Sequence, residues 1–389
     1  MKLLMLAASL ALVGTAVVSK PEGTSFSFAG NFQGYLSPCG CVKPMKGGIV
    51  RLATAIRSKP GYVVLLGPLS DGVPTRQQEL KADAILDLAK EVGASAVTVG
   101  QEDDLLGKGT LRSLHGRTGL LVRSEETDST LATVSASLGA FEFFSVGPGA
   151  EPDSVLGGRP MATTILHVDG PLAEARRYAG KARIVFYRVD GEVPPAPFKE
   201  KGTAFLTVGE KGKSLVQFTL AGDKLVKYRV VSLGPEVVDD PGGRQVMSLY
   251  LNRVGREGLL GRLPRSPSEA FAGSASCMSC HAQAHDVWKN SAHGEALRTL
   301  EKENHDQDPD CVGCHVVGLD KITGFASRKA TPDLANVGCE SCHGPAKAHA
   351  ENPTGHRLPR VERDTCMTCH NVAHSPEFDF EKYWEKIKH

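Results

Sequence analysis

The pentapeptide Cys-x-x-Cys-His occurs four times between residues 277 and 370. In this motif two thiols can bond to the two vinyl groups on one edge of a haem, and the adjacent histidine can reach the iron from one face. We therefore predict four covalently bound haem c groups. The predicted thioether cysteines are Cys277, Cys280, Cys311, Cys314, Cys339, Cys342, Cys366 and Cys369, and the predicted proximal iron ligands are His281, His315, His343 and His370.

Other kinds of site also use paired cysteines, but they fit this pattern less well. Two Cys-x-x-Cys pairs can form a Cys₄ zinc site, yet zinc does not require a histidine after every second cysteine. A thioredoxin-like pair needs a βαβ context, which this part of the sequence lacks. A disulfide framework would not repeat one pentapeptide. The repeats therefore favour haem over zinc or disulfides.

The function of each haem depends on the second axial ligand of its iron. A histidine on both faces gives a low-spin haem suited to electron transfer, whereas an open face permits ligand binding and chemistry. The candidates for distal ligation are His293, His349 and His389. The remaining histidines of the region rank lower. His285 shares a helical face with the proximal ligand His281, and three others are predicted to lie in exposed loops: His305, His356 and His374.

The two remaining cysteines, Cys39 and Cys41, are separated only by Gly40. A disulfide between them would close a small strained ring and would be readily reduced. The nearby Lys43 and Lys46 favour a thiolate. We predict a redox-active or soft-metal-binding pair and keep an inert structural pair as the alternative.

The chain begins with Lys2 and a short apolar run, and the small residues Ala16 and Ser19 follow where a signal peptidase could cut. This pattern predicts a signal peptide over residues 1–19, with an uncleaved membrane anchor as the alternative. No second apolar run of that length follows, so no integral membrane span is expected after cleavage. We therefore expect an exported, periplasmic protein.

Residues 20–255 have the pattern of an α/β domain. The runs YVVLLG and AVTVG predict two strands, and the segment between them predicts a helix that stops at Gly93. Strand, helix and strand in this order predict a βαβ unit and a parallel sheet. Further strands are predicted in ARIVFYRV, TAFLTVG, SLVQFTL and KYRVVSL, and a closing helix in GGRQVMSLYLNRV. The predicted apolar face of the first helix consists of Ala82, Ile85, Leu86 and Ala89.

Residues 256–270 carry Gly, Pro, Ser and charge and are predicted to be a linker to a second domain over residues 271–389. This last segment holds 11 of the 13 histidines but few large aliphatic residues, so haem groups must supply most of its core. It also holds 17 acidic and 13 basic residues, which favours redox partners with a basic docking surface. The net charge of the whole chain is +1, which argues against nucleic-acid binding.

The segments CMSCHAQAHDVWKNSAHGEAL, DPDCVGCHVVGLDKITGF, NVGCESCHGPAKAH and CMTCHNVAHSPEFD resemble the cytochrome c-554 type of tetrahaem cytochrome. The resemblance implies closely packed haem pairs that pass electrons through the periplasm. It implies that His293 serves the haem on Cys339 and Cys342, that His349 serves the fourth haem, and that the second haem is five-coordinate. The family's distal histidine for the first haem has no counterpart here, and His389 is the candidate replacement.

The segments FAGNFQGYLSPCGC, VVLLGPLSDG and ADAILDLAKEVGASAVTVGQEDDLLG resemble the metallophosphatase domain of the 5′-nucleotidase (UshA-like) family. The resemblance implies an α/β sandwich, and a subset of these proteins carries Cys-Gly-Cys at this place. The family's metal-binding positions fall on Asn31, Gln33, Pro68 and the segment Gly100–Asp103, which cannot hold two metal ions. We therefore expect the phosphatase chemistry to be lost. The nearby acidic residues are expected to form a solvated loop, with a hard metal ion as the alternative: Asp71, Glu102, Asp103 and Asp104.

Three functions remain open at this stage. The first is a periplasmic multihaem electron carrier with an N-terminal docking or sensing domain. The second is an oxidoreductase acting on a small nitrogen, sulfur or selenium compound at an open haem or at Cys39 and Cys41. The third is a metal-dependent nucleotidase, which the missing ligands disfavour. The sequence favours electron transfer and leaves enzymatic activity undecided.

Overall fold

A computed structural model of the chain describes residues 23–38, 44–123, 134–222, 224–372 and 374–389. The predicted signal peptide over residues 1–19 and the Cys39–Cys41 pair lie outside these ranges. Within them the chain forms an N-terminal α/β region and a C-terminal region of short helices. The N-terminal strands are β1 (Thr24–Gly30), β2 (Tyr62–Leu66), β3 (Ala96–Thr98), β4 (Leu121–Val122), β5 (Ala136–Leu138), β6 (Phe141–Val146), β7 (Thr164–Val168), β8 (Ile184–Phe186), β9 (Phe198–Glu200), β10 (Thr203–Leu206), β11 (Ser214–Ala221) and β12 (Lys224–Ser232).

These strands form two six-stranded mixed sheets. The first has the order β12-β11-β1-β2-β3-β4, in which β1 to β4 run parallel and β11 is antiparallel to both of its neighbours. The second has the order β5-β6-β7-β8-β10-β9, in which β6, β7, β8 and β10 run parallel and both edge strands are antiparallel. The predicted parallel neighbours β2 and β3 are confirmed, although each sheet as a whole is mixed.

The two sheets pack face to face. Phe26 and Phe28, two residues apart on β1, both contribute to the apolar layer between the sheets, because side chains alternate along a strand. Phe28 stacks on Phe186 of the opposite sheet with ring centroids 4.3 Å apart. The opposite face of β1 and β2, which carries Ala29 and Leu65, packs against helices. The domain is therefore an α/β sandwich, as the sequence predicts.

Six α-helices accompany the N-terminal sheets in the described residues. The long helix between β2 and β3 begins at Thr75, whose side chain accepts a hydrogen bond from the Gln78 backbone N–H. Its predicted apolar face is fully buried, and Gly93 follows its end with a φ of 65°, so this prediction is confirmed. The helices are α1 (Ile49–Arg57), α2 (Arg76–Glu91), α3 (Lys108–Thr118), α4 (Pro152–Leu156), α5 (Leu172–Ala175) and α6 (Pro241–Glu257).

The C-terminal region differs in kind. Its described residues form helices of four to eight residues, with a small apolar cluster around Val312, Val317 and Phe325. Among the described residues of the chain, no helix has both the length and the apolarity needed to cross a membrane. The helices are α7 (Ser274–Cys277), α8 (Ala282–Lys289), α9 (Ala296–Lys302), α10 (Pro309–Val312), α11 (Cys339–His343), α12 (Lys347–Glu351), α13 (Arg363–Met367) and α14 (Phe380–Trp384).

Short 3₁₀ segments connect several of these elements, and one of them lies between the two regions. Leu259 packs in the N-terminal core, whereas Leu260 packs in the C-terminal cluster. The chain therefore passes from one core to the other inside the predicted linker 256–270. The 3₁₀ segments are Glu102–Leu106, Met161–Thr163, Arg176–Tyr178, Leu259–Arg262, Ala292–Glu295 and Pro332–Leu334.

Candidate haem-binding site

Each Cys-x-x-Cys-His motif includes a short helical segment. In the first motif the His281 N–H donates to the Cys277 carbonyl at 2.9 Å, and in the fourth the His370 N–H donates to the Cys366 carbonyl at 2.9 Å. One helical turn brings residues three and four apart onto one face. The fold therefore places two thiols and an imidazole on the same side of the backbone, as thioether attachment with proximal ligation requires.

The four motifs lie in two pairs. The side chains of Cys277 and Cys339 are close enough to perturb each other's pKa, which places the first and third motifs side by side. The pKa of Cys369 is lowered by the neighbouring Cys314, which places the second and fourth motifs side by side. Motifs that are distant in sequence are therefore neighbours in space.

Each of three proximal histidines faces a distal candidate across a gap of similar width. Two imidazoles on opposite faces of one metal ion, with metal–nitrogen bonds of about 2 Å, place their ring centroids about 6 Å apart. The observed separations match this value. The pairs are His281 with His349 at 6.2 Å, His293 with His370 at 6.1 Å, and His343 with His389 at 6.0 Å.

These pairs differ from the allocation that the family resemblance implies. His293 faces the fourth motif rather than the third, and His349 faces the first rather than the fourth. His389 faces the third motif rather than the first. The reason is physical, because a distal ligand is brought to its iron by the packing of remote segments, which sequence spacing does not encode.

Hydrogen bonds at Nδ1 leave the other ring nitrogen available for a metal. Nδ1 of His315 lies 2.6 Å from the Ala296 carbonyl, and Nδ1 of His349 lies 2.6 Å from the His356 carbonyl. Nδ1 of His389 lies 3.0 Å from a backbone carbonyl as well. A metal-ligating histidine almost always donates its second N–H in this way, which fixes the tautomer and the ring orientation. The donor set and its hydrogen bonds therefore fit haem iron.

Burial keeps several of these imidazoles neutral. Burial lowers the pKa of His293, with the neighbouring His370 and His315 adding to the effect. Burial also lowers the pKa of His343 and of His370. Because only the neutral ring can bind a metal, this environment favours ligation at neutral pH.

His315 of the second motif stands apart from the other proximal histidines. In the part of the chain that the structure describes, no histidine faces it at the 6 Å spacing of the other three pairs. The lower-ranked histidines have other neighbours. His285 lies against Trp288, and His305 lies 3.8 Å from an Asp308 oxygen. The ring of His356 is exposed, and its carbonyl receives His349.

The N-terminal positions that correspond to metal ligands are occupied by groups bonded to one another. Asn31 is buried, donates to the Gly209 carbonyl at 3.3 Å and accepts from Gln33 Nε2 at 3.0 Å. Asp71 accepts from Gln78 Nε2 at 2.7 Å. Among the described residues, the potential metal-binding cluster identified by geometry lies elsewhere, at His305, Asp308 and Cys311. Among the described residues, the side chains of Asn31, Gln33 and Asp71 are thus engaged in hydrogen bonds with protein groups.

The expectation of a solvated acidic loop is wrong for Asp103. This carboxylate is fully buried and accepts hydrogen bonds from the N–H groups of Leu69, Ser70 and Gly100 and from the Ser70 hydroxyl. Burial raises the pKa of Asp103 to about 6, although these bonds oppose the shift. The carboxylate ties together the two loops that follow β2 and β3.

Sequence reasoning missed the cation in this region, Arg188. Its guanidinium lies 2.7 Å from Glu102 and 3.1 Å from Asp169, and Asp169 is buried. Burial would raise the pKa of Glu102, but Arg188 holds it below its usual value. Burial raises the pKa of Asp169 despite Arg188. An ion-pair network thus joins loops of the two sheets, and its members are charged residues that follow β3, β7 and β8.

Comparison with known proteins supports a c-type cytochrome in the C-terminal region. A family model described as cytochrome c554 and c-prime matches residues 276–344. Cytochrome c-554 of Nitrosomonas europaea is 31% identical over 141 residues, which cover 27% of this chain and 60% of that protein. The chain thus spans about 60% of the length of this relative. The region resembles cytochrome c554, and this supports covalent haem c and a role in electron transfer.

Solved structures similar to this chain fall into two groups. Reduced cytochrome c554 from Nitrosomonas europaea matches 31% of this chain and 84% of its own at 25% identity, with a TM-score of 0.26. A 5′-nucleotidase precursor from Thermus thermophilus matches 72% of this chain and 67% of its own at 14% identity, with a TM-score of 0.49. The sulfate thiohydrolase SoxB of the same species matches 62% of each chain at 11% identity, with a TM-score of 0.46.

Proposed function

We propose that this protein is an exported, periplasmic tetrahaem cytochrome c that transfers electrons. The main support is that three of the four predicted proximal histidines lie opposite a second histidine, with ring centroids 6.0 to 6.2 Å apart. Haem c supplies a reversible one-electron iron couple, and its potential depends on axial ligands, burial and hydrogen bonding. The chain's part is to attach, orient and space these groups.

The proposed axial pairs are His281 with His349, His343 with His389, and His370 with His293. Two imidazoles give a low-spin iron that changes little on reduction, which suits electron transfer. The carbonyls that accept from Nδ1 of His349 and His389 hold these two rings in place and raise the basicity of the ligating nitrogen. The second motif has His315 alone, and we propose that its haem is five-coordinate.

A haem count tests the tetrahaem assignment. The pyridine haemochrome assay on protein made with the cytochrome c maturation machinery is expected to give four haems per chain, all reversibly reducible. A change of Cys366 and Cys369 to Ser is expected to give three. A count below four in the unaltered protein would contradict the proposal.

The second candidate function is an oxidoreductase that acts on a small nitrogen, sulfur or selenium compound. It is favoured by His315, which no histidine faces among the described residues. Carbon monoxide or nitric oxide added to the reduced protein is expected to bind about one haem in four. Absence of any spectral change would leave electron transfer alone. A nucleotidase is disfavoured, and we expect no phosphate release from nucleotides with added Mn²⁺.

Several narrower proposals accompany this function. We propose a signal peptide over residues 1–19, domains over 20–255 and 271–389, and redox partners with a basic docking surface. We also propose that Cys39 and Cys41 form a redox-active or soft-metal-binding pair. Thiol titration before and after mild reduction tests the redox version, because two permanently unreactive cysteines would exclude it.

A further inference from the structure

The N-terminal domain contacts the segment that precedes the second haem-attachment motif. Gln77, on the first turn of α2, donates from Nε2 to Asp308 Oδ1 at 2.7 Å. The same Nε2 lies 3.2 Å from the Tyr250 hydroxyl of α6. One turn further along α2, Lys81 forms an ion pair with Asp310. Two helices of the sandwich thus meet the short segment that lies just before Cys311.

Most of this contact is shielded from solvent. Lys81 is 6% exposed, Tyr250 3% and Asp308 4%, whereas half of the Asp310 side chain reaches solvent. A buried ammonium is costly unless it is paired and hydrogen-bonded. The burial of the Lys81 ammonium therefore depends on its ion pair with Asp310. This pair joins the N-terminal and C-terminal regions at this point.

The contact continues directly into the haem motif. The side chain of Asp308 caps α10 by accepting the Asp310 N–H at 3.1 Å, and its carbonyl accepts the N–H of Cys311 at 3.0 Å. On the far side of the motif, His315 is fixed by the Ala296 carbonyl. Both ends of the second motif are therefore anchored, one by the N-terminal domain and one by α9.

We propose that Gln77, Lys81 and Tyr250 are positioning residues for the second haem, and that the Lys81 charge raises its reduction potential. The inference rests on the proposed haem at Cys311 and Cys314. A positive charge in a poorly solvated site favours the reduced iron, which carries one positive charge fewer than the oxidised iron. The metallophosphatase-like domain carries other residues at the positions where metal ligands are expected. This role would give that domain a function.

The test is a spectroelectrochemical titration of the full-length holoprotein. The second haem is identified as the signal missing from a variant with Cys311→Ser and Cys314→Ser, whatever its spin state. With Lys81→Met we expect the ratio of reduced to oxidised second haem, at the wild-type midpoint, to fall at least about threefold, which is about 28 mV. Lys81→Arg is expected to preserve the wild-type value.

Removal of the negative charge of Asp310 gives an independent test of the effect on the second haem. Asp310→Asn removes the half-exposed partner and is expected to raise the same ratio, whereas loosening of the motif would move both variants in one direction. Lys90→Met serves as the matched control, because Lys90 lies at the other end of α2 and bonds to the Arg117 carbonyl. An unchanged second haem, equal shifts at all haems, or shifts of the same sign in both variants would overturn the inference. A wild-type count of fewer than four haems would instead contradict the proposed function.

Discussion

At the scale of single residues, the histidines of the C-terminal region are specified by two different kinds of information. The proposed proximal ligands follow from the local motif, whereas the proposed distal ligands follow from hydrogen bonds and packing. His349 illustrates the second kind, because the carbonyl of His356 orients its ring toward His281. This proposed ligand is therefore positioned by a contact that forms only in the folded chain.

Replacing His349 by alanine is expected to convert one haem from low-spin to high-spin. The change removes the imidazole that faces His281 and leaves the attachment cysteines in place. Electron paramagnetic resonance should show two low-spin haems in place of three. His285→Ala is the matched control, because the His285 ring lies against Trp288 rather than a proximal histidine. An unchanged spectrum in the His349 variant would contradict the assigned pair.

A second residue-scale prediction concerns Asp103. Its pKa is raised to about 6 in the folded protein, so the protonated form is favoured by folding, and its contribution to stability is present below about pH 4 and lost as pH rises through 6. We expect this group to lower the free energy of unfolding of the N-terminal domain by about 2 kcal/mol between pH 4 and 6. Hydrogen exchange of β1 and β2 in the wild type and in Asp103→Asn measures the difference. A difference that does not depend on pH would contradict this role.

At the scale of elements, the order of strands and helices around α2 could be predicted from sequence. Short apolar runs specify β2 and β3 locally, and the apolar face that stops at Gly93 specifies α2. The Arg188 network and the Lys81–Asp310 pair could not be predicted, because each joins residues that become neighbours only when separate elements pack. The histidine pairs differ from the allocation that the family resemblance implies for the same reason. Cys39 and Cys41 lie outside the described residues, so their role stays a prediction.

Strand β1 contributes buried aromatic residues to the apolar layer between the two sheets, so a substitution there is expected to have a large effect on the free energy of unfolding. Phe28 on β1 is fully buried and stacks on Phe186, so Phe28→Ala is expected to lower the free energy of unfolding of the N-terminal domain by about 3–5 kcal/mol. The control is Val226→Ala on the edge strand β12, where the side chain is 51% exposed and the expected loss is below about 1 kcal/mol. Chemical denaturation monitored by far-ultraviolet circular dichroism measures both. Equal losses would contradict the assigned core.

At the scale of the whole molecule, the two regions are stabilised in different ways. The sandwich has extensive apolar layers, whereas the described part of residues 271–389 has one small apolar cluster. A region with so little apolar burial gains its stability from a bound group. The proposed haems are thus part of the structure as well as of the function.

This difference predicts how the chain behaves without haem. Protein made without the cytochrome c maturation machinery is expected to fold in residues 23–255 and to remain protease-sensitive beyond residue 271. Limited proteolysis with mass spectrometry should yield a stable N-terminal fragment from the haem-free chain and protect both regions in the holoprotein. Equal resistance of the two regions without haem would contradict the proposed domain organisation.

We propose that four haems are held by three histidine pairs and by His315, which no second histidine faces among the described residues. Spin quantification by electron paramagnetic resonance on the oxidised holoprotein tests it most directly, because low-spin and high-spin ferric haem give separate signals. We expect three low-spin haems and one high-spin haem per chain. Four low-spin haems would contradict the open second site, and two or more high-spin haems would contradict the histidine pairs.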